Sequence, residues 1–435
     1  MQLSAIPHAI KEKPTTPEQH VTYIEAVKRG DYDLNHGGLV GKYDNVRTYW
    51  EDQLTRIVLR PYLTRLMARK KQAREKLRIV DLGAGTGQGY ELLTRVARKD
   101  LDLGLHHDWV IDRQDIDLYL GIDLSSAMVA RGNELWADDA SVRFVQGDLR
   151  DRLGVAQAEA PFDIYYSAYG ALSHLATDDL KALLIDIARH GRNGSLIVLD
   201  LLGRYSLEWP GYWSATTDAQ KFADYSMSYL QLATNSSQPV EHFPMRFWTG
   251  AEIDALAQEV TCVGSSADGV KVEVLRKYDR SLLVGRHFDT RAYNPTLQSM
   301  RRTVNRLHED YRRTDIGQLR VDIDASDHPD PDAAALFSEL IGSWNILVDF
   351  FERRLRNDIT LVEMDGWENF AAPLQFALMT VDRMINNTAW MWYGDPRANV
   401  IEPQLGYALR SLEHDLQRGL GCGHGLLVVL QIDKS

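Results

Sequence analysis

The chain has 435 residues, with 49 Lys and Arg against 61 Asp and Glu, a net charge of −12 with histidine neutral. At 44% hydrophobic residues it is long and apolar enough for two or three packed units, which excludes a disordered tail or a small stapled scaffold. The acidic balance disfavours nucleic acid and anionic lipid, and Cys262 and Cys422 alone make neither a disulfide framework nor a thiolate metal site.

Residues 17–28 carry a short helical pattern (Val21, Ile24, Val27) stopped by Gly30. Residues 43–67 place Trp50, Leu54, Ile57, Val58, Leu63 and Leu66 near helical spacing, broken by Pro61. This predicts two helices within an N-terminal cap, 1–74, and Tyr43, Arg47, Tyr49 and Trp50 could fold over a site. From Leu77, short apolar runs alternate with helical stretches, the pattern of a parallel sheet with crossover helices. Five strands are expected, at 78–82, 118–123, 142–146, 162–167 and 195–201. The runs 270–275 and 281–285 are close enough for an antiparallel hairpin, which would close the sheet near residue 290. Helical periodicity then dominates, over 297–311, 336–351, 374–384 and 405–416. The acidic stretch 322–332 lacks the glycine and final glutamate of a calcium loop and reads as a solvated linker. After Gly421, Gly423 and Gly425 the run 426–432 fits a last strand on a sheet edge. No run approaches the roughly 18 apolar residues of a membrane helix, and a soluble protein of a reducing cytoplasm is expected.

The first strand ends in Asp81-Leu82-Gly83-Ala84-Gly85-Thr86-Gly87-Gln88-Gly89. Glycines there let backbone amides approach a ligand, and a helix start favours an anionic group. The dinucleotide pattern needs glycines at positions one, three and six, whereas here they fall at one, three, five and seven. A phosphate-binding loop ending in Gly-Lys-Ser or Gly-Lys-Thr is absent. Three acids follow strand ends: Asp81, Asp123 in Gly121-Ile122-Asp123-Leu124-Ser125, and Asp148 in Gln146-Gly147-Asp148-Leu149. In an open parallel sheet ligands bind at the carboxyl ends of the strands. Asp123 there can accept from two ribose hydroxyls, Asp148 from an adenine amine, and Asp81 can face an ammonium group.

These motifs resemble those of class I S-adenosylmethionine-dependent methyltransferases, over roughly residues 75–290. The resemblance implies an α/β fold, a seven-stranded, mostly parallel Rossmann-like sheet with N-terminal helices and a mainly helical C-terminal region, 291–435. It implies S-adenosylmethionine as cofactor, with Gly83, Gly85 and Gly87 along its methionine portion, Asp123 on the ribose, Met128 beside the adenine and Asp148 on the amino group. Asp81, Leu124, Leu149 and Ser167 complete the expected cofactor set. The long stretch between Arg98 and Asp117 departs from the family's usual spacing and reads as a surface insertion.

Tyr169-Gly170-Ala171-Leu172-Ser173-His174-Leu175 after the fourth strand is similar to the small-molecule N-methyltransferases such as glycine N-methyltransferase. The Asn-Pro-Pro-Tyr signature of amide methylation is absent. His174 is the candidate proton acceptor, Tyr169 the candidate orienting group, and Arg204 the candidate partner for a substrate carboxylate; a helix-start histidine bonded to backbone is the plainer account of His174. Trp209, Tyr212 and Trp213 could shape a lid or accept a cationic amine over their faces, with lid or core packing as the plainer account. The helical region, with Trp390, Trp392 and Tyr393, would complete the pocket or form a homodimer contact. His106, His107 and His424 have no metal-ligand spacing, and no metal is expected. The expected activity is methyl transfer to a small molecule, to an amine ahead of hydroxyl or carbon. A protein or RNA acceptor, or a non-catalytic cofactor-binding regulatory module, are the alternatives.

Overall fold

The computed structural model describes residues 27–28, 30, 32, 38–98, 108–155, 158–234, 240–388, 390–391 and 394–434. Five parallel strands form its centre: β1 (Leu77–Leu82), β2 (Ile116–Asp123), β3 (Val142–Gln146), β4 (Ile164–Ser167) and β5 (Leu196–Gly203). They lie in the order β3-β2-β1-β4-β5. β4 and β5 are buried along their whole length, as strands covered on both faces should be.

Ahead of them runs helix α1 (Asp52–Ala73), entered through a π-turn at Arg47–Glu51. The two helices expected around Pro61 are one. Pro61 is an exposed residue of this helix, which continues through it although proline forfeits one amide donor. Crossover helices α2 (Gln88–Thr94), α3 (Ser126–Leu135) and α4 (Thr177–His190) connect the strands. Beyond β5 come β6 (Phe222–Ser226), α5 (Ser228–Thr234), β7 (His242–Trp248), α6 (Gly250–Asp268) and β8 (Val270–Arg280). β6 and β7 pair antiparallel and attach to the end of β5 at Leu202 and Gly203.

The sheet does not close near residue 290. β8 runs straight through Lys277, Tyr278 and Asp279, and its partner is β9 (Gly425–Lys434), antiparallel from Val270↔Lys434 to Arg280↔Gly425. β9 also pairs antiparallel with β5, from Leu196↔Gln431 to Leu202↔Gly425. The expected hairpin fails because residues 281–285 spend their amides elsewhere: Ser281 and Leu282 donate to the two Glu413 carboxylate oxygens at 2.7 and 3.1 Å. Likewise, 426–432 is no edge strand but lies between β5 and β8. A boundary at 290/291 therefore cuts the sheet, and residues 281–424 form a long excursion between two neighbouring strands.

That excursion holds α7 (Met300–Arg306), α8 (Pro331–Leu355), α9 (Ala372–Thr388) and α10 (Glu402–Leu416). The helix expected over 297–311 is shorter, and Tyr311 is exposed. Asp330, from the acidic stretch, caps α8 by accepting from the Asp332 and Ala333 amides. By length and hydropathy α8 is the one described helix able to cross a membrane. Here its Leu336, Leu340, Trp344 and Leu347 are buried in a cluster that extends to Trp50 and Leu54 of the N-terminal segment and to Tyr166 and Val198 of the sheet. Arg301 on α7 adds ion pairs of 2.7 Å to Asp44 and Glu51. The helices and the sheet thus share one core.

Candidate functional site

At the end of β1 the chain turns through Gly83 at φ +74°. A Cβ there would lie 2.6 Å from that of Ala171, so only glycine fits. Asp81, just before the turn, is buried; its Oδ2 accepts from the Tyr119 hydroxyl, while Oδ1 has no partner. Burial pushes its carboxyl up to about 7, the Tyr119 bond opposing and Asp123 adding to the rise. Asp123, closing β2, accepts from the Gly85 amide at 2.8 Å and the Ser125 amide at 2.9 Å, which ties the glycine turn to β2. Asp148, after β3, is held by Arg150, whose Nε lies 2.9 Å from both carboxylate oxygens. The N-terminal segment covers this region: the Tyr32 carbonyl accepts from Thr86 Oγ1 at 3.0 Å and from Gln88 Nε2 at 3.2 Å.

A cavity of about 270 Å³ runs along this edge, from Asp123, Met128, Asp148 and Leu149 past Gly83 and Gly85 to an inner compartment. Arg47, Arg280 and Arg286 line that compartment, and all three are 8% exposed or less. Buried guanidinium groups require anionic or hydrogen-bonded partners. Arg280 bonds Asp200 Oδ2 at 2.8 Å and Thr55 Oγ1 at 2.7 Å, and Arg286 meets Glu51 at 3.3 Å. Burial alone would raise the Glu51 carboxyl, but Arg301, Arg286 and Arg280 hold it well below the usual range. Arg47 stacks 3.7 Å above the Tyr169 ring, whose hydroxyl donates to Asp52 at 3.0 Å. The Nε atoms of Arg47 and Arg280 have no hydrogen-bond partner.

The structure brings together most of the residues singled out by sequence. Asp81, Gly83, Gly85, Asp123, Leu124, Met128, Asp148, Leu149, Tyr169 and His174 all line the cavity. Gly87 is not among the lining residues; at φ +99° it starts α2. Neither is Ser167, which donates to the Leu82 carbonyl at 2.8 Å and joins β4 to β1. Arg204 is also misplaced by the sequence reading. Its amide donates to the Trp248 carbonyl, and its side chain runs to Glu252 at 3.2 Å, away from the cavity. His174 is half-buried with its ring edge-on to Phe243, and desolvation lowers its pKa to about 4, so it is neutral at pH 7.

Trp209 stacks on Phe247 at 4.2 Å as core rather than lid. Trp390 is exposed, and His106, His107, Trp392 and Tyr393 lie outside the described residues. Sequence reasoning missed Glu51, Asp200, Arg280, Arg286 and His424. The only local signal was a charged residue ending a strand, as Arg280 ends β8.

Residues 104–194, which include β2 to β4, match the family model described as a methyltransferase domain. The chain carries a methyltransferase domain. No curated protein matches. Solved structures include an S-adenosylmethionine-dependent methyltransferase from Clostridium acetobutylicum, with 12% identity, 60% of this chain and 89% of that one covered, and a TM-score of 0.34. An amino pentose methyltransferase from Micromonospora echinaspora shows 16% identity, 50% and 85% coverage and a TM-score of 0.29. A Haemonchus contortus phosphoethanolamine N-methyltransferase shows 12%, 61% and 46% coverage, and 0.34.

The cofactor that the sequence motifs imply for a methyltransferase domain is S-adenosylmethionine. The residues present fit it. The unpartnered Asp81 Oδ1 offers an anionic acceptor, the Gly83 turn leaves backbone accessible where a side chain would clash, and Asp123 stands at the same edge.

Proposed function

We propose that the protein methylates a small molecule bearing an anionic group, at an amine ahead of a hydroxyl or carbon. The observation that carries this reading is the inner compartment, continuous with the cofactor edge and walled by Arg47, Arg280 and Arg286. A folded RNA or a protein chain would need an open groove, whereas these walls are nearly closed to solvent. A small anion can take the guanidinium N–H groups left unpaired, with bidentate geometry available.

The bound cofactor supplies an electrophilic methyl group on sulfur. Asp123 would accept from its ribose hydroxyls, Asp81 would face its ammonium group, and Met128 with Asp148 and Leu149 would border its adenine. Tyr169, pinned by Arg47 and Asp52, would form the wall between the two halves of the cavity. Enclosure excludes water and orients the acceptor, which is the main contribution available to an enzyme of in-line displacement.

The test is to supply the purified protein with methyl-labelled S-adenosylmethionine and a cell extract divided into small-molecule, protein and RNA fractions. Label in the small-molecule fraction, retained on anion exchange and lost with Asp123→Ala, is expected. Label in protein or RNA would overturn the acceptor class.

A further inference from the structure

Glu208 and His424 form a buried acid–histidine pair that the functions assigned above leave unused. Glu208 is fully buried between β5 and β6, and His424 immediately precedes β9. His424 Nδ1 lies 2.8 Å from Glu208 Oε2. Two further donors reach the carboxylate: Ser206 Oγ donates to Oε2 at 3.2 Å and the His287 amide to Oε1 at 2.5 Å. Gly285 passes so close that a Cβ would sit 2.6 Å from Oε1. The carboxylate is therefore fixed, and burial, which would raise its pKa, is outweighed by His424 and His287, so it is held below the usual range and ionised.

His424 lines the cavity. With Nδ1 engaged by Glu208, Nε2 is the ring nitrogen left for the cavity. Its place in the fold sets it on the same cavity as the turn after β4 and the three arginines. The His424 carbonyl accepts from the Gly203 amide at the end of β5, and Gly425 pairs with Leu202. Two residues earlier on β5, Asp200 accepts from the Tyr169 amide at 2.8 Å and binds Arg280. The turn after β4, the end of β5 and the start of β9 thus converge on one compartment. The charged and titratable groups around His424 are Glu208 after β5, Tyr225 on β6, and Arg286 and His287 after β8. His287 is lowered to about 3, first by burial, and stays neutral.

We propose that His424, oriented by Glu208, is the general base that removes the proton from the acceptor, a role resting on the small-molecule reading above. The Nε2 lone pair takes the proton of the acceptor N–H or O–H while the acceptor lone pair bonds the methyl carbon. The breaking carbon–sulfur bond leaves its electron pair on sulfur, which becomes a neutral thioether. The imidazolium so formed is countered by the Glu208 carboxylate, and its proton passes to solvent as product leaves. Glu208 is a positioning residue: it fixes the Nδ1–H tautomer that leaves Nε2 free to accept.

The test compares wild type with His424→Gln and Glu208→Gln for label transfer into the small-molecule fraction, together with S-adenosylmethionine affinity and histidine-selective ¹⁵N NMR. His424→Gln is expected to lower the rate at least 100-fold with cofactor affinity within a factor of two. Glu208→Gln is expected to lower the rate about tenfold and to convert His424 from the Nδ1–H toward the Nε2–H tautomer. Label transfer retained by a folded His424→Gln protein would overturn the dyad alone. A wild type that labels only protein or RNA would overturn the acceptor reading and, with it, this role. An Nε2–H tautomer in wild type would overturn the proposed orientation without reference to turnover.

Discussion

Asp81 and Asp123 act at opposite ends of one problem, how a carboxylate at a strand end is kept useful. Asp123 accepts from two backbone amides, one on each oxygen, and a carboxylate is the acceptor type that a pair of ribose hydroxyls calls for. Asp123→Ala removes the charge and loosens the glycine turn. S-adenosylmethionine affinity measured calorimetrically should fall ~30-fold or more, since charge-assisted bonds contribute ~1.5–3 kcal/mol each, and an unchanged affinity would exclude the ribose assignment. Asp81 is incompletely satisfied and raised to about 7. A carboxyl raised in the folded state favours folding when protonated, so that contribution is full below the ordinary carboxylate range and is lost as pH rises through about 7. An ammonium beside Asp81 reverses the preference by favouring the carboxylate. Cofactor affinity should therefore rise by up to ~10-fold per pH unit below 7 and level off above it, and Asp81→Asn should flatten this dependence. Both acids were legible because each stands at the end of its own strand inside a short motif. Arg280, Arg286 and His424 were not, since three separate chain segments bring them together and none has a diagnostic neighbour.

At the scale of elements, the β1–α2 turn depends on an approach that sequence glycine spacing can signal but not measure. Gly83→Ala must displace Ala171 and place a side chain at φ +74°. A loss of ~1–3 kcal/mol of stability is expected, together with weaker cofactor binding, because Ala171 opens the turn after β4 that lines the same cavity. Urea unfolding and calorimetry would separate the two effects; a Gly83→Ala protein of wild-type stability would remove the steric argument. The first strands were readable because apolar runs alternate with helices locally. The closing strands were misread for a physical reason. The 281–285 run is as apolar as a strand, yet Glu413, more than a hundred residues away, takes its first two amides, and Ser281 sits at φ +61°. Periodicity reports what a segment can bury, not which partner takes its hydrogen bonds.

For the whole molecule, the decisive feature is that β9 closes the sheet from the far side of a 144-residue excursion, residues 281–424. A fragment ending at residue 290 would keep the cofactor motifs but leave β5 and β8 without the strand between them. It would expose Val198, Leu199, Val270 and Val272, all buried against β9 and its surroundings. It would also leave Asp279 buried without the Leu420, Gly421 and Cys422 amides that donate to it at 2.7 to 2.9 Å. Unpaired strand edges and orphaned buried acids both favour aggregation over folding. The 1–290 fragment is therefore expected to lack a cooperative thermal transition and to bind no S-adenosylmethionine, although it contains Asp81, Asp123 and Asp148. Adding residues 281–435 in trans should restore both if the excursion and β9 fold as a unit onto the sheet. A 1–290 fragment that melts cooperatively and binds cofactor would mean that β5 and β8 rearrange to pair directly, making the helical excursion an addition to the sheet rather than the means of completing it.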